Sequence, residues 1–173
     1  MSAHRRLARL AIAAALVASV PAITGAATYS NGTATSTFNV TLTIVANCII
    51  SAQPLNFGSS QGVLATAVSA NTTVGVTCTN TTPYNLGLNA GTGTGSTTSA
   101  RTMSGTGANT STVAFNLFQT AGATNWGNTQ GTDTLAGTGN GTLQTLTVYG
   151  QVPAQTTPQP DTYKSTITAT VYF

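Results

Sequence analysis

Glutamate is missing from this 173-residue chain, and ionisable side chains of every kind are scarce: charged residues make up 4%, with two acidic residues and one histidine. General acid–base chemistry needs a proton donor and acceptor held together, and an activated nucleophile needs a base beside it. His4 lies at the extreme N-terminus, and Asp133 and Asp161 are isolated, so neither an acid–base pair nor a triad can be drawn from this inventory. Ser, Thr, Asn, Gln and Tyr remain; they can hydrogen-bond a ligand but carry protons poorly near neutral pH. Metal sites are built from clusters of His, Cys, Asp or Glu. The sequence offers none, so no catalytic role, metal or cofactor is expected.

Positive charge is equally thin. The formal net charge of +3 is that of Arg5, Arg6 and Arg9; the rest of the chain sets Arg101 and Lys164 against Asp133 and Asp161 and is neutral. Binding nucleic acid requires several cations that displace counterions from phosphates, and two separated residues cannot form such a patch. The same count excludes an electrostatic hold on anionic membrane.

What is present begins with a basic stretch through Arg9, an apolar run from Leu10 to Val20, and then Pro21 and the small residues Gly25, Ala26 and Ala27. This order predicts a secretory signal peptide over residues 1–27, cleaved after Ala27. The apolar run is about half of the ~20 residues that span a bilayer, so direct membrane insertion is not expected. Taking 27 from 173 leaves 146 residues, enough for one domain with a core. In an exported chain the two cysteines, Cys48 and Cys78, read as a disulfide. Closing a loop of that size stabilises by about 3 to 4 kcal/mol in the chain-entropy treatment. A reactive thiol pair would want a neighbouring His or Lys, or CxxC spacing, and has none of them.

Beyond the N-terminus no segment shows a 3.6-residue apolar period, whereas several alternate with period two, which puts neighbouring side chains on opposite faces of a sheet. Phe38, Val40, Leu42 and Ile44 alternate with Asn39, Thr41 and Thr43, and the run continues to Ile50 around Cys48. Further strands are predicted at Thr73–Cys78, Tyr84–Leu88, Val113–Leu117, Leu143–Val152 and Tyr163–Phe173, the last presenting Ile167, Ala169, Val171 and Phe173 on one face. Gly91–Ser99 reads as loop, and Thr120–Gly141, with the single Trp126, as a loose segment. Seven or so short strands separated by turn signals predict an all-β sandwich. Thr41/Thr43, Thr145/Thr147 and Thr166/Thr168/Thr170 recur without a fixed period, which argues against a flat ice-binding threonine array. Alternation alone is what a strand of the domain's own fold would show, so it assigns residues 38–44 no special role.

The alternating strand leading into Cys48, Leu55-Asn56-Phe57-Gly58, Val76-Thr77-Cys78, Val148-Tyr149-Gly150 and the ending from Asp161-Thr162-Tyr163 to Val171-Tyr172-Phe173 together resemble the spore coat protein U family, which includes the pilins of archaic chaperone-usher pili of the Csu type. That resemblance implies an incomplete immunoglobulin-like β-sandwich completed by donor-strand exchange, a form of β-augmentation. It divides the chain into residues 1–27 as signal, 28–44 as N-terminal extension and 45–173 as pilin domain. Phe38, Val40, Leu42 and Ile44 become the donor strand, and Ile167, Ala169, Val171 and Phe173 the acceptor groove and chaperone edge. The partners it implies are other copies of the chain, a periplasmic chaperone and an outer-membrane usher. The destination it implies is a cell-surface fimbria for adhesion and biofilm formation, or a secreted coat or matrix. The family usually carries Pro-Gly-x-Tyr before the last strand, where this chain has Pro160-Asp161-Thr162-Tyr163, which leaves the local turn geometry open. A different reading is a tip or minor adhesin binding a surface or glycan through Trp126, Tyr84 and Tyr149, with Asn125 or Asn128 as hydrogen-bonding partners.

Overall fold

A computed structural model describes residues 32–59 and 64–173; the expected signal peptide lies outside them. The chain divides after Thr41. In the first unit, residues 32–41 have no regular secondary structure and are exposed. The second unit, Leu42–Phe173, is all-β.

Eight strands form: β1 (Cys48–Ala52), β2 (Val68–Cys78), β3 (Pro83–Leu88), β4 (Arg101–Ser104), β5 (Thr112–Phe118), β6 (Leu135–Thr138), β7 (Gln144–Val152) and β8 (Ala169–Tyr172). They make a five-stranded sheet ordered β1-β2-β7-β5-β4 and a three-stranded sheet ordered β6-β3-β8, every pairing antiparallel. This is a two-sheet sandwich, as the period-two patterning leads one to expect, and of the immunoglobulin-like kind that the family resemblance implies.

The alternation decides which face of each strand turns inward. Val74, Val76 and Cys78 of β2, Val113, Phe115 and Leu117 of β5, and Val148 and Val152 of β7 meet Tyr84, Leu86 and Leu88 of β3 in one core. Burying such a side chain contributes on the order of 1.5 to 3 kcal/mol, which fixes register because a slip of one residue would turn the whole set outward. Cys48 and Cys78 face each other across β1 and β2 and are bonded, with Cα atoms 4.1 Å apart.

Several boundaries differ from those predicted. Residues 32–47 form no strand despite their alternation, because a strand needs a partner ladder and among the described residues only Asn47, bonded to Thr79, has a backbone partner; β1 starts at Cys48. The final ladder is shorter than Tyr163–Phe173. Upstream of Ala169 the chain is tied by one bridge, Ser104 to Lys164, and by side chains, with Thr166 N–H donating to Thr92 Oγ1 (2.9 Å) and Thr168 N–H to Asn89 Oδ1 (2.8 Å). β2 begins five residues early, at Val68, since it pairs along its length with β7. β6 arises in the stretch read as loose chain and β4 just past the predicted loop, where no element was assigned: each is four residues long and recruited to a sheet edge by a stronger neighbour.

Candidate functional site

Two sheet edges meet beside an open apolar cleft. β1 is one of the two outer strands of the five-stranded sheet and β8 one of the two of the three-stranded sheet. Between the chain continuing from β1 and the chain approaching β8 lies a cavity of about 550 Å³. Ala52, Leu55 and Phe57 form one lip, Tyr163, Ile167 and Ala169 the other, and Val74, Leu88, Phe115, Leu117 and Val148 the floor. Gly150 helps to shape this interior: a Cβ there would stand 2.5 Å from Leu55 Cδ2 and 2.9 Å from Phe57 Cζ, so a larger residue would make those side chains shift.

The second lip is half satisfied. Backbone groups of Lys164 pair with Ser104, and those of Thr168 with Asn89. Strand geometry sends the intervening groups of Ser165 and Ile167 to the opposite side, and among the described residues neither N–H finds a partner. A row of unpaired amides along an apolar groove is a template for another strand.

The predicted residues are placed as follows. Phe38, Val40, Leu42 and Ile44 are 86%, 85%, 85% and 77% exposed. Ile167, Ala169 and Val171 pack, partly buried, against the core, and the first two line the cleft; Phe173, just past β8, is 58% exposed. The aromatic residues considered for ligand binding separate. Trp126 and Tyr84 are core, the indole N–H donating to Leu86 O at 2.8 Å and burial pushing the Tyr84 phenol up. Tyr149 is half-buried in a shallow depression with Asn71, Phe118 and Gln151. Asn125 donates to Thr98 O, while Asn128 Oδ1 is packed against Gly87. Among the described residues no three His, Cys, Asp or Glu side chains converge.

Two charged residues to which the sequence assigned no role brace the sandwich, Arg101 across the core and Asp161 at the lip of the cleft. Arg101 is fully buried on β4, and its guanidinium donates to the carbonyls of Leu88, Asn89, Thr98 and Trp126 at 2.6 to 2.9 Å. Burial lowers its pKa to about 10, with Asp133 opposing, so it stays charged at neutral pH. The single arginine beyond Arg9, in a stretch nearly free of charge, was the available signal. Asp161 stands where the family usually has glycine. Its backbone is not left-handed, so glycine is not required; the carboxylate instead accepts from Thr106 Oγ1, Thr106 N–H and Asn109 Nδ2, tying the Thr106–Asn109 loop to the lip at Thr162 and Tyr163. The Thr106 hydroxyl first, then its N–H and Asn109, hold the Asp161 carboxyl well below the usual range.

Comparison with known proteins puts this arrangement in context. The model of the Spore Coat Protein U domain matches residues 34–170. No curated protein matches the chain. Among solved structures, the chain is similar to one in the crystal structure of the CsuC-CsuE chaperone-tip adhesion subunit pre-assembly complex from the archaic chaperone-usher Csu pili of Acinetobacter baumannii. The two are 24% identical with a TM-score of 0.54, and the match covers 76% of this chain but only 40% of the other. At that identity the likeness is one of fold.

Proposed function

This chain belongs to the Spore Coat Protein U domain family, and we propose that it is a non-catalytic structural subunit of a chaperone-usher fibre, polymerising by inserting residues 38–44 of one copy into the cleft of the next. The observation that carries this is that the same chain has an open apolar cleft along an edge with unpaired amides and a run of four exposed apolar side chains at alternate positions. Their lengths agree. Six residue steps from Phe38 to Ile44, like six from Tyr163 to Ala169, span about 20 Å at ~3.3 Å each.

Burial of the four side chains contributes on the order of 6 to 12 kcal/mol, an upper figure before ordering costs. That is comparable to the stability of a whole domain. A subunit with its cleft uncovered exposes core and edge together and aggregates readily. A periplasmic chaperone that covers β8 and the cleft until a donor arrives, and an outer-membrane usher that presents the next copy, answer that hazard; the similar solved structure is itself a chaperone–subunit complex. The product is a cell-surface fimbria for adhesion and biofilm formation, reached by export through the periplasm. Near-neutral subunits suit such a fibre, since they stack without mutual repulsion.

The test is deletion of residues 28–43. Fibres should disappear from electron micrographs while export and chaperone binding persist; polymerisation that continues unchanged ends the proposal.

A further inference from the structure

Nine large apolar side chains are exposed among the described residues. Phe38, Val40, Leu42 and Ile44 belong to the proposed donor, Ile50 sits on β1 and Phe173 just past β8, the strands bounding the open edge. Val45, Ile49 and Leu143 are left, at 71%, 67% and 64% exposure, and neither cleft nor donor accounts for them.

Ile49 and Leu143 share one outer face of the five-stranded sheet. Ile49 and Ser51 are two apart on β1 and point the same way. Ser51 pairs with Gly75, and the bare Gly75 is covered by Leu143: a Cβ there would stand 2.8 Å from Leu143 Cδ1 and 2.8 Å from Ser51 Oγ. Val45 lies at the root of the donor. Two residues later the chain is clamped, since Asn47 N–H donates to Thr79 Oγ1 (3.2 Å) and Asn47 O accepts from Thr79 N–H (3.0 Å), immediately before the bonded Cys48.

The clamp sets a distance. From Ile44 to Asn47 there are three residue steps, which reach about 10 Å fully extended. Ile49 is two steps beyond the clamp, about 7 Å along β1. Given the donor-strand reading, on which this rests, Ile44 is buried in the neighbouring copy. The body of that neighbour must then abut the clamped end of β1.

We propose that Val45, Ile49 and Leu143 form a second, donor-independent contact between successive copies of this chain, packing against the body that receives the donor and stiffening the junction. The occupant is a second copy because the short tether admits no other body of comparable size there. A chain with so little charge can steer this contact only by shape and apolar burial.

The experiment labels cysteine introduced by Leu143→Cys with a maleimide, in chaperone-bound subunit and in assembled fibre, using Thr124→Cys on the exposed loop after β5 as control. Labelling at position 143 should slow about tenfold or more in fibres, as expected for a residue in the water-excluding centre of an interface, while position 124 labels equally in both. Because an added thiol could rearrange the Cys48–Cys78 bridge, the Ile49→Thr/Leu143→Asn double variant is imaged in parallel. Its fibres should form but lose stiffness, seen as a shorter persistence length. Fibres that form normally, keep their stiffness and label freely at position 143 overturn the second contact and leave the donor reading intact. Fibre assembly that survives deletion of residues 28–43 overturns the donor reading and this contact with it.

Discussion

The two flanks of the sandwich are built to opposite rules. On the β4 side the sheets are stitched across the core. Arg101 reaches from β4 to carbonyls at the end of β3, and Trp126 sits between the sheets with its indole N–H on Leu86 O and its backbone N–H on Leu117 O. On the β1 and β8 side, among the described residues, no buried side chain stitches the sheets in this way; the bridge from Ser104 to Lys164 ties only the chain approaching β8 to β4. The disulfide lies within one sheet, joining β1 to β2, and braces an edge without closing the gap opposite it. The same apolar economy thus gives a flank sealed from within and a flank left open beside a cleft. On the proposed donor-strand reading, stability of the monomer and stability of the assembly are carried by different residues.

Substitutions on each flank can break that comparison. Trp126→Ala should have the largest effect, destabilising the isolated domain by about 3 to 5 kcal/mol through the cavity left and the orphaned Leu86 carbonyl. Urea unfolding of the subunit reads this directly, and a loss under about 1 kcal/mol would mean that the sealed flank is not where the monomer's stability resides. Leu42→Ala should do the reverse. Its side chain is 85% exposed, so the monomer's unfolding midpoint stays put, while fibres become easier to dissociate by about 2 kcal/mol for each subunit junction. Heating or denaturant titration of fibres, followed by gel mobility, measures it; equal losses in monomer and fibre would erase the distinction between the flanks.

How far the sequence shows this division depends on the range of the interactions involved. The all-β class, the core faces of β3, β5 and β7 and the Cys48–Cys78 bond follow from alternation and cysteine parity, because those signals are local or compositional. β4 and β6 do not: four residues such as Leu135–Thr138 carry too little pattern, and their pairing is imposed by β3 and β5. Arg101 was legible only as a charge to be counted, since its four acceptors are carbonyls distant in sequence or without side-chain signature. The cleft is harder still, being a gap between segments far apart in the chain, and alternation at Phe38–Ile44 reads alike for a strand that pairs at home and one that pairs elsewhere. Asp161 was noticed as a departure from the family pattern, but the loop it grips lies 52 to 55 residues away.

That grip gives the smallest and most specific test. Four donors converge on the Asp161 carboxylate, from Thr106 Oγ1 and N–H, Asn109 Nδ2 and Thr162 N–H, and Asn109 also donates to the Tyr163 hydroxyl on the cleft lip. The folded carboxyl titrates well below its unfolded value, so the clamp's contribution is complete above the unfolded pKa of about 3.9 and is lost as pH falls from there through the folded pKa. Solvent screens the group, so the effect is small at any pH. Asp161→Asn should accordingly lower the urea midpoint slightly at pH 7, and the gap to the parent chain should close as acid removes the charge that the parent alone possesses. Because the clamp holds the open flank and not the sealed one, the variant should also shed a bound donor peptide of residues 36–46 faster while leaving the Trp126 side of the core unchanged by hydrogen exchange. A stability gap that is the same at pH 7 and in strong acid would show that the carboxylate's charge does not hold this lip in place.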